Sequence, residues 1–263
     1  MYYFPLHKQI RYFFLSKSNI LLLHFPFPKT NTITAVTSFK EKPSSFSQLF
    51  LNFAKVLFEI QEMKLIVVTP PHFFVEEDQI ITNLFEEGLD ILHLRKPETP
   101  AMYAERLLTL IPARFHKRIV THEHFYLREE FGLMGIHLNK RNPNEPHDYA
   151  GTVSTACLSI DDLEAKKKFY DYVFLSDSDF GPNNRFFDRF TPEMLAQAKR
   201  SKLIDSKVMA LGGINLDNIR QLKSYGFGGA VVMDDLWTKF DLRANRDYQE
   251  IIDHFKRLKE AID

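Results

Sequence analysis

The sequence has little cysteine, short apolar runs and no net charge. Its single cysteine, Cys157, cannot form an internal disulfide or a structural zinc site, so a reducing compartment such as the cytoplasm suffices. No apolar run approaches the roughly 20 residues that a membrane span needs. Lysine plus arginine balance aspartate plus glutamate at 34 each, so the totals do not favour nucleic acid as a partner.

Acidic residues are also missing from the start of the chain, where none precedes Glu41 and aromatic residues are abundant. The apolar run at 20–23 is too short for a membrane span or a secretory signal. Residues 50–60 show some helical periodicity. We predict that residues 1–62 are a non-core extension, either disordered or upstream sequence read in frame, with translation beginning at Met63. A targeting or docking segment is the alternative.

Short apolar, β-branched runs begin at Met63 and recur to the end of the chain. Several are apolar at successive positions, which is typical of parallel strands buried on both faces. The predicted strands are 64–69, 90–94, 118–121, 134–138, 152–155, 172–176, 207–211 and 229–233.

Amphipathic segments separate these runs. The predicted helices are 76–87, 100–111, 125–131, 160–169, 192–201, 216–225 and 246–262. Ser159 is suited to cap the fourth helix, and Gly88 and Gly226 stand where helices should end. Eight such units within residues 63–263 favour an α/β fold with one TIM (β/α)8-barrel. A doubly wound open sheet usually has fewer strands in this length.

Ligands of a TIM barrel bind at the carboxyl ends of the strands, often as phosphates near the seventh and eighth. Paired glycines follow the predicted seventh strand, and they let the backbone approach an anion closely. The predicted phosphate-binding residues here are Gly212, Gly213, Ile214 and Met233. A tight turn that needs glycine is the alternative, and the two aspartates after Met233 oppose an anion.

The order of these motifs resembles that of the thiamine-phosphate synthase and TenI family. Leu-Ile-Val-Val-Thr at 65–69, His-Leu-Arg-Lys at 93–96, Gly-Ile-His-Leu at 135–138 and Gly-Gly-Ile at 212–214 stand in the family's order. The resemblance implies a TIM barrel that acts on small phosphorylated thiazole and pyrimidine compounds. The synthase joins hydroxymethylpyrimidine diphosphate to thiazole phosphate and releases pyrophosphate with Mg²⁺. The related tautomerase aromatises the thiazole phosphate. A homodimer is left open.

Individual site residues follow from this resemblance. Arg95 and Lys96 stand near the arginine and lysine of the family's Gln-x-Arg-x-Lys and are predicted to bind phosphate. A structural ion pair at the barrel mouth is the alternative for Arg95. His93 replaces the glutamine and could bond a pyrimidine or fill the barrel. After the third strand the family has Asn-Asp; here Glu123 would assist a metal, and His122 or His93 would be the base of a tautomerase. Residues 122–124 could also hold zinc, but sequence neighbours rarely converge on a metal.

Other positions depart from the family pattern. Asn142 stands where the family has an aspartate for Mg²⁺, and an amide is a poorer ligand for that ion. Leu158 replaces a histidine, and Arg185 is a candidate for the lysine of the loop after the sixth strand. Cys157 could transfer a proton but is more typical of a small buried hydrophobe. For His137 we favour core packing.

Three functions therefore remain open from the sequence. The first is an enzyme of thiamine biosynthesis of the synthase type, with altered catalytic positions. The second is a thiazole-phosphate tautomerase without Mg²⁺. The third is a non-catalytic protein that binds a phosphorylated ligand.

Overall fold

The computed structural model describes residues 11–15, 20–25, 33–38, 63–177, 185–240 and 248–263. The chain divides into two compact units, Met1–Gln61 and Glu62–Asp263. In the first unit the strands Arg11–Leu15, Ile20–Phe25 and Ile33–Ser38 form an antiparallel sheet in that order.

The sequence predicts no strand in this first unit. Aromatic and β-branched residues, which favour strands, are frequent in it. The helical periodicity at 50–60 lies outside the described residues. The interpretation of residues 1–62 as a non-core extension stays a prediction.

The second unit is a closed barrel of eight parallel strands, so the predicted TIM barrel is confirmed. Each strand pairs with the next along the chain, and the eighth pairs with the first. All eight strands lie within two residues of their predicted bounds. Strands β1 to β8 are Lys64–Val68, Ile91–Leu94, Ile119–Thr121, Gly135–Leu138, Thr152–Cys157, Tyr172–Ser176, Val208–Leu211 and Gly229–Val232.

Helices follow the strands, as expected for this fold. Helices α1 to α9 are Glu77–Glu86, Ala101–Leu110, Leu127–Phe131, Leu163–Lys166, Phe186–Arg189, Pro192–Arg200, Ile219–Tyr225, Asp234–Trp237 and Gln249–Ile262. A 3-10 helix, Ala113–Arg118, precedes β3. No helix in the described ranges is long and apolar enough to cross a membrane.

Three residues predicted to begin or end helices, Gly88, Gly226 and Ser159, have the expected role, whereas the fourth predicted helix is longer than the observed one. Gly88 and Gly226 have positive φ at the ends of α1 and α7, where glycine avoids a side-chain penalty. Helix α4 is shorter than the predicted 160–169, because the amides of Leu163 and Phe169 bond to carbonyls three residues back. Ser159 Oγ accepts from the amide of Asp162 at 3.3 Å, so it caps this turn.

Alternation along the strands gives the barrel two apolar layers. Leu65 and Val67 pack with the helices outside the barrel, whereas Ile66 and Val68 pack with the residues inside it. Both sets are fully buried, which explains the continuous apolar run in β1.

Candidate functional site

A cavity of about 360 Å³ opens beside the carboxyl ends of β2 to β5. Its cationic lining residues are Arg95, Lys140, Arg141 and Lys166. Leu158 and Tyr170 contribute apolar surface, and His122 and His137 line the barrel side. No described residue that lines the cavity is acidic. Four cations around a small concave space favour an anionic ligand, and the planar guanidinium groups suit a phosphate.

Hydrogen bonds hold three of the cationic residues in position. Arg95 follows β2; its amide donates to Thr69 Oγ1 at 2.9 Å, and the Thr69 hydroxyl donates to its carbonyl at 3.1 Å. Arg141 lies in a turn after β4, where its amide donates to Asn139 Oδ1 at 2.9 Å. Lys166 reaches back from α4, and its ammonium donates to the Ala156 carbonyl at 2.7 Å.

Glu123 lies at the edge of this group but does not line the cavity. Its Oε1 accepts from Nη2 of Arg141 at 2.6 Å, and its Oε2 accepts from the amide of Lys96 at 2.9 Å. The Asn142 amide donates to the carbonyl of His122 at 3.0 Å. Mg²⁺ prefers carboxylate oxygens, so the described cavity lining does not fit it. A metal role for Glu123 stays a prediction.

Lys96 lies outside the cavity lining, and its side chain is almost fully buried. Its Nζ lies 2.5 Å from Oε1 of Glu77 and 3.0 Å from the carbonyl oxygen of His72. The Phe73 ring centroid is 4.5 Å away. A buried ammonium needs a counter-charge. The structure therefore places Lys96 against Glu77, and it does not bring this ammonium together with Arg95 as a phosphate contact.

Three histidine side chains lie together inside the barrel next to the cavity. His93 Nδ1 lies 2.9 Å from His122 Nε2, and the rings of His122 and His137 stack at 4.3 Å between centroids. Burial lowers the pKa of His137 to about 3 and holds the pKa of His93 and His122 well below the ordinary value. The three imidazoles are therefore neutral at physiological pH.

Two of the rings are held by neighbouring hydroxyl groups. His93 Nε2 lies 2.8 Å from the hydroxyl of Tyr172, and His137 Nδ1 lies 2.9 Å from Oγ of Ser154. His93 does not line the cavity, but its ring contacts that of His122, which does. The ring of Phe174 lies against both His93 and His137. These contacts agree with the expected core packing of His137 and add a polar layer to the barrel interior.

The glycine loop after β7 is not among the described residues that line the cavity. Gly212 and Gly213 both have positive φ, so this turn requires glycine on conformational grounds. The Gly213 carbonyl accepts from the Asn218 amide at 2.9 Å, and Ile214 is buried. Met233 packs against the interior cluster. Phosphate binding by this loop stays a prediction.

Three basic residues of the cavity, Lys140, Arg141 and Lys166, were not predicted from the sequence. Lys140 follows β4, so the rule that sites follow the strands was the available signal. Lys166 lies one helical segment away from β5 and carried no such signal. Arg185 donates its amide to Asp177 Oδ2 at 2.9 Å. Residues 178–184 lie outside the described part of the chain.

The fold and the cavity together define a class of protein: a TIM barrel with a cationic site for a small anionic ligand at the carboxyl ends of its strands. A crystal structure of thiamine phosphate pyrophosphorylase from Bacteroides thetaiotaomicron is 64% identical to the chain, with a TM-score of 0.71. That match covers 76% of this chain and 97% of the other. The chain belongs to the thiamine phosphate pyrophosphorylase family.

More distant structures share the fold alone. Thiamine phosphate pyrophosphorylase from Pyrococcus furiosus is 20% identical, with a TM-score of 0.55, over 77% of this chain and 96% of that one. Tryptophan synthase subunit alpha from Legionella pneumophila is 15% identical, with the same TM-score, over 82% and 98%. No family model and no curated protein sequence matches the chain.

Proposed function

We propose that this protein is a transferase of thiamine biosynthesis that joins a hydroxymethylpyrimidine diphosphate to a thiazole phosphate and releases pyrophosphate. The observation that supports this most directly is the 64% identity to a thiamine phosphate pyrophosphorylase over nearly all of that chain. The cationic cavity supports the same substrate class, because both substrates carry phosphate groups. Cytoplasmic location and a homodimer stay predictions.

The cavity residues suit the charge changes of this reaction. As the bond to the diphosphate breaks, negative charge grows on the leaving group, and fixed cations stabilise it. Four cationic side chains line the cavity, which supports this role for Arg95, Lys140, Arg141 and Lys166. Tyr170 and Leu158 offer apolar surface for a heterocyclic ring.

Two positions that depart from the family pattern also bear on catalysis. Leu158, at the position of a family histidine, cannot transfer a proton. Asn142 donates its amide hydrogen to a carbonyl rather than presenting a carboxylate. We propose that the chain performs the transfer chiefly by charge stabilisation from its cationic residues, with altered groups at these two catalytic positions.

The test is to incubate the purified protein with both precursors, with and without Mg²⁺, and to measure thiamine phosphate and pyrophosphate by chromatography. We expect product from the wild type, and none from Arg95→Ala. Arg114→Ala is the matched control, because Arg114 is exposed and does not line the cavity. Absence of product from folded wild type, with thiazole phosphate still bound, would eliminate the transferase.

The position of His122 favours a second function, a thiazole-phosphate tautomerase. This imidazole lines the cavity, and burial together with nearby cationic groups keeps its pKa low, so it is unprotonated and can accept a proton. The same burial makes it a weaker base than free imidazole. Proton exchange from thiazole phosphate in heavy water, lost in His122→Asn, would support this function. Binding without exchange or transfer would leave a non-catalytic binding protein.

A further inference from the structure

The three buried histidines form an arrangement that neither the transferase nor the tautomerase requires as a set. They come from three neighbouring strands: His93 from β2, His122 from the residue after β3 and His137 from β4. One ring nitrogen of each lies within 4.8 Å of one ring nitrogen of the others. We propose that these histidines bind a Zn²⁺ ion between the barrel interior and the cavity, with one coordination position open to a phosphate oxygen.

The contacts of two rings orient them as metal ligands. A metal-bound histidine usually donates its second ring N–H to a neighbouring acceptor, which fixes the tautomer. His93 has the hydroxyl of Tyr172 2.8 Å from Nε2, and His137 has Oγ of Ser154 2.9 Å from Nδ1. Donation to these hydroxyls leaves the lone pairs on Nδ1 of His93 and Nε2 of His137.

The His122 ring must rotate for the metal ion to bind. The 2.9 Å between His93 Nδ1 and His122 Nε2 is shorter than the roughly 3.4 Å between two ligands of a tetrahedral ion with bonds of about 2.1 Å. Binding of the ion would therefore break this hydrogen bond. The His122 ring would also rotate out of its stacking contact with His137. His122 lines the cavity, so space for this rotation lies on that side.

The choice of metal follows from the ligands. Neutral imidazole suits zinc and its neighbours in the transition series, whereas Mg²⁺ prefers oxygen ligands. Three histidines with an open fourth position are a recurrent arrangement for zinc. The cavity on the side of His122 and His137 is where that fourth position would be reached.

Charge links the ion to the ligand of the cavity. The nearby groups that act on His122 electrostatically include Arg95 and Arg141, both cationic. A divalent ion held by neutral ligands beside two guanidinium groups is unfavourable until an anion completes its coordination. Zinc and phosphate should therefore bind cooperatively, and each should raise the affinity for the other by the same factor.

The experiment uses the full chain, stripped of metal with a chelator and titrated with Co²⁺ as a spectroscopic probe and with Zn²⁺ by calorimetry. We expect one equivalent of Zn²⁺ per chain and the visible absorption bands of four-coordinate Co²⁺. His93→Gln and His137→Asn should each lose at least about 100-fold in affinity. Tyr172→Phe should retain the cobalt bands and lose about tenfold. Inorganic phosphate should raise the affinity for Zn²⁺.

Two controls separate this site from surface binding and from misfolding. His124→Gln changes a neighbouring histidine whose Nε2 lies against the Thr99 carbonyl at 2.9 Å, and it should bind Zn²⁺ as the wild type does. Circular dichroism should show that every variant is folded. Wild type without cobalt bands, or folded His93→Gln with unchanged affinity, would overturn the site. Affinity unaffected by phosphate would overturn the open position.

Discussion

The ammonium of Lys96 lies 2.5 Å from a carboxylate oxygen of Glu77, and both side chains are almost fully excluded from solvent. Lys96 follows β2 and Glu77 begins α1, so the ion pair joins a strand end to a helix start. Such a pair offsets a large desolvation cost and is sensitive to the loss of either partner.

Removing one member of this pair should destabilise the fold. We expect Lys96→Met to lower the free energy of unfolding at pH 8, where Glu77 is ionised in the wild type, by about 3–5 kcal/mol, because it leaves the Glu77 carboxyl buried without its counter-charge. The double variant Lys96→Met/Glu77→Leu should recover most of this loss. Denaturant unfolding followed by circular dichroism measures both. A single variant as stable as the double would contradict the interpretation.

The same pair should make stability depend on pH. Burial raises the pKa of Glu77 from 4.5 to about 7, although Lys96 acts in the opposite direction. Between these two values the folded protein holds the proton that the unfolded chain has released, so stability falls as pH rises from about 5 to 8. The full contribution of this group is on the order of 3 kcal/mol. Glu77→Gln should flatten this slope in unfolding curves measured across that range.

Phosphate affinity should depend on each cation of the cavity. We expect Lys140→Met to weaken binding of inorganic pyrophosphate about tenfold, because it removes one charged donor worth about 1.5 kcal/mol. Lys168→Met is the matched control, since Lys168 is exposed, pairs with Glu164 and does not line the cavity. Calorimetry at two salt concentrations measures the pyrophosphate affinity of each variant. Equal affinity in the two variants would place the anion elsewhere.

Gly135, in the Gly-Ile-His-Leu motif, is required by close packing of β4 against β5. A Cβ at this position would lie 2.1 Å from the carbonyl oxygen of Thr152. Gly135→Ala should therefore prevent barrel closure or lower the free energy of unfolding by more than about 3 kcal/mol. A Cβ added at Gly132 would have no atom within 4 Å, so Gly132→Ala is the control. There the positive φ alone should lower the free energy of unfolding by about 1 kcal/mol. Similar losses in the two variants would contradict this explanation.

Cys157 should be chemically inert in the folded protein. Its side chain is fully buried, and burial raises the pKa of the thiol to about 11, so the reactive thiolate is scarce at neutral pH. We expect no reaction with a thiol reagent over the time in which denatured protein reacts completely. Rapid labelling of native protein would show that this strand opens.

Much of the fold was predictable because the relevant signals are local. Apolar runs as in β1 and β8 lie on successive residues, and glycines such as Gly226 mark helix ends by their own conformational freedom. Eight strand and helix units in order leave few architectures other than a closed barrel. The first three strands of the chain, at 11–38, were not predicted.

The sequence by itself determined the barrel and the place of Arg95 at its carboxyl rim, because periodicity and chain order suffice for these. Only the tertiary structure decided that His93, His122 and His137 meet, that Lys96 pairs with Glu77 and that Lys166 reaches the cavity. The physical reason is that a side chain's partners depend on strand direction, tilt and packing against distant residues. No local pattern in the sequence encodes those distances.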